Sequence, residues 1–235
     1  MNANALELRD VTSGYKASVV LRGLSMSVAA GEALALLGKN GMGKTTLLKT
    51  IMGYLPKQGG SIRLNGLDVT RLPPYRIARE GIAYAPQEYA LFQELSIRDN
   101  LRLGLPDVSV FDERFAELEP LFPVFGSRLR QQAGTLSGGE QKMLLVARAL
   151  MMRPSVMLLD EITEGLQPSV IDRLAGALQW ERSRHGTTML LVEQHVPFAL
   201  QVADRYAILK QGEIVDRGDA NDAAAAASIF DHLRV

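Results

Sequence analysis

Through the first 36 residues apolar and polar positions alternate, with Leu6, Leu8 and Val11 and then Val19, Leu21, Leu24, Met26 and Val28 marking the apolar side. A period of two predicts short antiparallel strands, here broken at Ser13-Gly14 and at Ala30-Gly31. The run ALALLG at 33–38 is almost continuously apolar, the pattern of a strand buried on both faces. A helix is predicted from Lys44 to about Met52, stopped by Gly53. GGSIRLNGLDV at 59–69 reads as a hairpin turned by Asn65-Gly66. Between about Gln87 and Met152 the spacing becomes helical. Strand-type runs return as VMLLD at 156–160 and TTMLLVE at 187–193, on either side of a helical stretch from about Val170 to Arg184. YAILKQGEIVDRG at 206–218 predicts two strands around Gln211-Gly212, and the alanine-rich tail from Asp219 predicts helix. The pattern as a whole is an α/β core interrupted by a helical insertion.

A length of 235 residues suits one α/β domain with such an insertion and is ample for a substantial core. Hydrophobic residues at 47% and charged residues at 22% exclude a disordered, collagen-like or coiled-coil chain. Lys+Arg and Asp+Glu both number 26, so the bulk charge offers no footing for nucleic acid, and no nucleic-acid partner is expected. The absence of cysteine removes disulfides, thiolate nucleophiles and zinc–thiolate sites, and fits a reducing cytosol. No window approaches the roughly 18 to 20 apolar residues of a membrane-spanning helix. The start MNANALELRD lacks the basic-then-apolar pattern of a secretory signal. The expectation is a chain inside the cell, brought to a membrane only by other chains.

The chemistry begins at GKNGMGKT, residues 38–45, which satisfies G-x-x-x-x-G-K-[ST] between a predicted strand and a predicted helix. Gly38, Gly41 and Gly43 let consecutive backbone N–H groups curl around phosphate oxygens, with Asn40 in the same loop. The helix start, with Lys44, Thr45 and Thr46, adds its partial positive charge. Lys44 is expected to reach the β and γ phosphates of ATP, and the Thr45 hydroxyl to join the shell of a Mg²⁺ ion. A chance match in a chain of this length has odds of about one in a hundred, and the flanking strand and helix favour the phosphate site over a glycine-rich turn. VMLLDE at 156–161 would carry Asp160 and Glu161 to the C-terminal end of a buried strand, where open α/β sheets bind ligands. Asp160 suits a Mg²⁺ partner and Glu161 the polarisation of an attacking water.

A second anion-binding helix start is predicted at LSGGEQ, residues 136–141. Ser137 is a suitable N-cap with Glu140 as its capping-box partner. Yet Gly138 and Gly139 cost a helix about 1 kcal/mol each relative to alanine, which a mere cap would avoid. Close approach of backbone N–H groups to a ligand gives those glycines a purpose.

With these motifs in this order, the chain resembles the ATP-binding subunits of ABC transporters over nearly its whole length. GKNGMGKT corresponds to the Walker A motif, VMLLDE to Walker B and LSGGEQ to the family signature. The resemblance implies an α/β P-loop NTPase fold: a RecA-like core, an N-terminal antiparallel β-subdomain and an inserted helical subdomain. Residues 1–86 and 153–219 would form the nucleotide-binding core with the β-subdomain, 87–152 the helical signature subdomain, and 220–235 a helical tail. It further implies that Gln87 in YAPQE is the Q-loop glutamine, a catalytic residue near the metal that links the nucleotide site to the helical subdomain, that His195 in LVEQH is the catalytic switch histidine near the γ-phosphate, and that Tyr15 stacks on adenine. Two departures stand out: Ile162 where the family usually has proline after the Walker B glutamate, and Gln167 where the D-loop usually ends in aspartate.

Within the family, GYKASVVLRGLSMSVAAGE, AGTLSGGEQ and TEGLQPSVI look most like the smaller ATPase of branched-chain amino-acid importers (LivF type), with some similarity to urea and short-chain amide importers. The implied assembly is a head-to-tail dimer, with itself or a second ABC ATPase. It would be peripheral on the cytoplasmic face of the inner membrane and bound to transmembrane permeases served by a periplasmic solute-binding protein. The alternatives are an exporter or lipopolysaccharide-type transport ATPase, a non-transport ABC protein of DNA repair or translation, and a module that senses ATP without hydrolysing it. One cassette with no room for coiled-coil or tandem additions weighs against the second, and Glu161 with His195 against the third.

Overall fold

A computed structural model describes residues 3–16, 18–87, 91–105 and 107–234. Glu88, Tyr89, Ala90 and Pro106 of the predicted helical stretch, and Val235 of the tail, lie outside the described residues. Along the chain run β1 (Asn4–Tyr15), β2 (Ser18–Ala29), β3 (Ala33–Leu37), α1 (Lys44–Ile51), β4 (Lys57–Leu64), β5 (Leu67–Asp68), α2 (Pro74–Arg79) and β6 (Ile82–Ala85). Then come α3 (Ile97–Arg102), α4 (Phe111–Leu118), α5 (Gly138–Met151), β7 (Val156–Asp160), α6 (Pro168–His185) and β8 (Thr188–Glu193). The chain continues through α7 (Val196–Val202), β9 (Arg205–Lys210), β10 (Glu213–Asp219) and α8 (Ala225–Leu233).

The strands form two sheets. One is antiparallel, in the order β2-β1-β4-β5. The other has the order β10-β9-β3-β8-β7-β6, and all its pairings are parallel except β9 with β10. Its central strands are buried on both faces, which explains their unbroken apolar runs. Leu34, Leu36, Leu158 and Leu190 pack with α1 and the antiparallel sheet. Met157, Leu159, Met189 and Leu191 pack on the other side with α5 and α6. A smaller cluster joins Leu37 and Ile208 to α7 and α8 through Val196, Ala199 and Ile229.

The predicted break at Ser13-Gly14 is not a turn. β1 runs through it to Tyr15, with a shift of register between Ser13 and Gly14. A Cβ on Gly14 would stand 2.0 Å from the Ser18 carbonyl oxygen, so the glycine serves close backbone approach at a bulge. The Asn65-Gly66 turn, the Gln211-Gly212 turn and the Gly53 stop lie where the pattern placed them. Three short elements, α2, β6 and α7, were not predicted from the pattern.

Candidate active site

The loops that follow β3, β8, β7 and β6 open at one edge of the parallel sheet, where the C-terminal ends of the strands meet. The loop after β3 carries Gly41 at φ +79° and Gly43 at φ +104°, values that L side chains rarely adopt, and Gly43 leads directly into α1. Lys44 is buried. Its Nζ donates to the carbonyls of Gly38 at 2.6 Å and Lys39 at 3.0 Å, and lies 2.9 Å from Glu161 Oε1. Thr45 Oγ1 donates to Asp160 Oδ1 at 3.1 Å, and the Tyr84 hydroxyl donates to Asp160 Oδ2 at 3.0 Å. Burial pushes the Asp160 carboxyl above its ordinary range, against the opposing effect of those two hydroxyls. The phenol of Tyr84 is pushed upward in turn, by its own burial first and by Asp160 second. Glu161 sits at φ +47°, a left-handed backbone that costs a non-glycine residue about 1 kcal/mol, and its N–H donates to the Val192 carbonyl at 2.8 Å. That turn aims the carboxylate back toward the glycine-rich loop.

Two amides converge on the same carboxylate. Gln87 Nε2 donates to Glu161 Oε2 at 3.2 Å and to Glu164 Oε2 at 2.7 Å, while the Gln87 carbonyl accepts from Lys142 of α5. Gln194 Nε2 donates to Glu161 Oε2 at 2.9 Å and to Asn40 Oδ1 at 2.8 Å. His195 is the N-cap of α7, and its Nδ1 accepts the Phe198 N–H at 3.3 Å. Behind these groups Glu193, the last residue of β8, accepts from Thr163 Oγ1 at 2.8 Å and from Thr163 N–H at 3.3 Å. Burial pushes its carboxyl up to about 7. Tyr84, Lys142, Glu193 and Gln194 were not singled out from the sequence. Tyr84 lies in YAPQE, and Glu193 and Gln194 lie in LVEQH, each near the residue that drew attention there; Lys142 lies on α5, one residue beyond LSGGEQ.

The cleft between these groups measures about 480 Å³ and is lined by Val20, Asn40, Gly41, Gly43, Lys44, Thr45, Thr46, Gln87 and Glu161. Tyr15, 45% exposed, pairs with Ser18 at the end of the hairpin whose second strand brings Val20 to this cleft. A glycine cradle with one buried ammonium fits a polyphosphate. Among the described residues no cluster of three or more His, Asp or Glu forms a metal cage. The Thr45 hydroxyl beside Asp160 instead fits the sparse kind of oxygen set by which proteins hold Mg²⁺ together with substrate phosphates.

The family model described as ABC transporter matches residues 21–164. The chain belongs to the ABC transporter family, as an ATPase. It is 39% identical over 212 residues to the high-affinity branched-chain amino acid transport ATP-binding protein BraG of Pseudomonas aeruginosa, covering 89% of this chain and 91% of that one. It is 36% identical over 215 residues to a probable branched-chain amino acid transport ATP-binding protein, LivF, of Archaeoglobus fulgidus, covering 90% and 91%. Among solved structures, a nucleotide-free ATP-binding cassette of an ABC transporter shares the fold at a TM-score of 0.86 and 22% identity, over 97% of this chain and 95% of that one. A dimeric post-hydrolysis cassette bound to ADP and Pi does so at 0.82 and 22%, over 92% and 99%.

In this ABC ATPase the signature residues stand apart from the cleft lining, at the start of α5. Ser137 and Glu140 form a full capping box, with the Ser137 N–H donating to Glu140 Oε2 at 2.9 Å, and Glu140 also pairs with Arg128. A Cβ on Gly138 would meet open space, so packing within the chain gives no reason for that glycine. One on Gly139 would press on Val170 at 3.3 Å, which gives a packing reason there. Of the two departures from the family pattern, Ile162 is buried in the core beneath the Glu161 turn, and Gln167 is the exposed N-cap residue of α6. Among the described residues no helix is long and apolar enough to cross a membrane.

Proposed function

We propose that this ABC ATPase hydrolyses Mg²⁺-bound ATP to power an importer of branched-chain amino acids or related small amides. Similarity along nearly the whole chain to two ATP-binding proteins of branched-chain amino acid transport supports the importer class. The observation that carries the chemistry is the convergence of Lys44, Thr45 and Glu161 on one glycine-lined cleft, with Asp160 buried behind Thr45. Gly38, Asn40, Gly41, Gly43, Lys44 and Thr46 bind the phosphates, and Tyr15 stacks on the base. Thr45, Gln87 and Asp160 hold the metal. Glu161 polarises the attacking water, and the reaction is in-line displacement helped by positioning and electrostatics. Ser137, Gly138, Gly139 and Glu140 complete the site of a second subunit in a head-to-tail dimer, formed with itself or with another ABC ATPase. The helical region 87–152 passes the motion from the core (1–86 and 153–219) to permeases in the inner membrane. The ATPase works on the cytoplasmic face, and a periplasmic binding protein delivers the solute.

The test is reconstitution of the ATPase with its permeases in liposomes, with binding protein in the lumen or outside. Leucine-loaded binding protein should raise ATP turnover severalfold, and Glu161→Gln should abolish it while nucleotide still binds. Turnover indifferent to permeases and to loaded binding protein would sink the importer reading.

A further inference from the structure

The strand order places β8 between β3, which leads into the phosphate loop, and β7, which ends at Asp160. The first residue after β8 is therefore set between the two halves of the hydrolytic site. That residue is Gln194. Its amide nitrogen donates at once to Glu161 Oε2 at 2.9 Å and to Asn40 Oδ1 at 2.8 Å. An ionised carboxylate only accepts, so the NH₂ end of Gln194 must face Glu161. The acceptor nitrogen of the next residue, His195, is meanwhile engaged by the Phe198 N–H at the start of α7.

We propose that Gln194, rather than His195, is the positioning residue of this loop, clamping the water-polarising carboxylate of Glu161 to the phosphate loop at Asn40. The inference rests on the reading of Glu161 as that water-polarising group. The chemistry favours an amide. Glu161 Oε1 faces the Lys44 ammonium, and phosphate oxygens compete for the same cation. Gln194 and Gln87 then continue to hold Oε2 through neutral donors. Neutral donors fix the direction of a carboxylate and leave its negative charge available to a water proton. An imidazolium in the same place would pair with that charge and lower its basicity. The amide does not titrate, so its hold is the same at every pH at which the protein is folded.

The experiment compares kcat and KM for ATP, together with binding of a fluorescent ATP analogue, in Gln194→Ala, Gln194→Glu and His195→Asn. Gln194 is exposed, so these substitutions leave the fold intact, which melting curves verify. Gln194→Ala should lower kcat about tenfold with KM within twofold, the signature of a misaligned base rather than a lost ligand contact. Gln194→Glu should fall further, because a carboxylate donates nothing and repels Glu161. His195→Asn, which keeps an acceptor for the Phe198 N–H, should fall less than Gln194→Ala. In combination with Asn40→Ala, the loss should be smaller than the product of the single losses, since both ends of one clamp are removed. A Gln194→Ala kcat within twofold of the parent overturns the proposal, as does a larger loss in His195→Asn or a change confined to KM. Undiminished hydrolysis by Glu161→Gln would instead overturn the reading on which it rests, whatever Gln194 does.

Discussion

Lys44 and Glu161 face each other at 2.9 Å, both buried, and each supplies the charge that makes the other tolerable there. Removing one member of such a pair strands the other, at a cost of about 3 kcal/mol. Lys44→Ala should therefore act twice. If Lys44 binds the phosphates as proposed, nucleotide affinity should fall by at least about tenfold, because the ammonium would face the most charged part of ATP. The melting temperature should also fall, and calorimetry on the same preparation reads both. Affinity unchanged within error would remove Lys44 from the phosphate site. Lys44, Thr45, Asp160 and Glu161 were all legible in the sequence, since fixed spacing next to a buried strand is a signal carried by neighbouring residues. Gln194 was not. The sequence presents Gln194 and His195 side by side, and the imidazole draws attention by its chemistry. Which of two consecutive residues turns toward the cleft is decided by the backbone at the end of β8, and no residue type announces it.

At the scale of elements, Glu193 ties the end of β8 to Thr163 in the loop that follows Glu161. Burial pushes its carboxyl up to about 7, above the range it has in an unfolded chain. Across that window the folded protein binds the proton that the unfolded chain has released, so stability falls as pH rises from about 4.5 to about 7. Above 7 the full penalty, about 3 kcal/mol, is present. Glu193→Gln keeps an acceptor for the Thr163 N–H and has no charge to bury. Its melting temperature should exceed that of the parent at pH 8, and the gap should close on approach to pH 5. A gap that does not change with pH would show that Glu193 is ionised at no cost. The elements themselves divide by how much pattern they carry. β3, β7 and β8 were visible because strands covered on both faces need unbroken apolar runs. β6 escaped because IAYA is four residues long and half alanine, too short to set a period. Gly14 was misread because a glycine required for close approach inside a strand looks, in sequence, like one required by a turn.

At the scale of the molecule, the signature residues at the start of α5 are not among those lining the cleft of their own chain, so a shared site is testable by mixing. Lys44→Ala disables the phosphate loop and spares α5, and Ser137→Arg does the reverse. If sites are built across a dimer, a mixed pair holds one doubly damaged site and one intact site, and ATPase activity should reappear on mixing two inactive proteins. Dimerisation by light scattering with no recovered activity would refute the shared site. The strand order has another consequence, in the history of the chain rather than its finished form. β1, β2 and β4 lie within the first 64 residues and can pair as soon as they are made. β3 is translated among them, yet among the described residues its strand partners are β8 and β9, the later of which ends at residue 210. During synthesis the most apolar strand of the sheet waits beside the ribosome without its neighbours, while the long-range pairing that closes the core is still untranslated. The phosphate loop is made well before the strands that complete the site it belongs to.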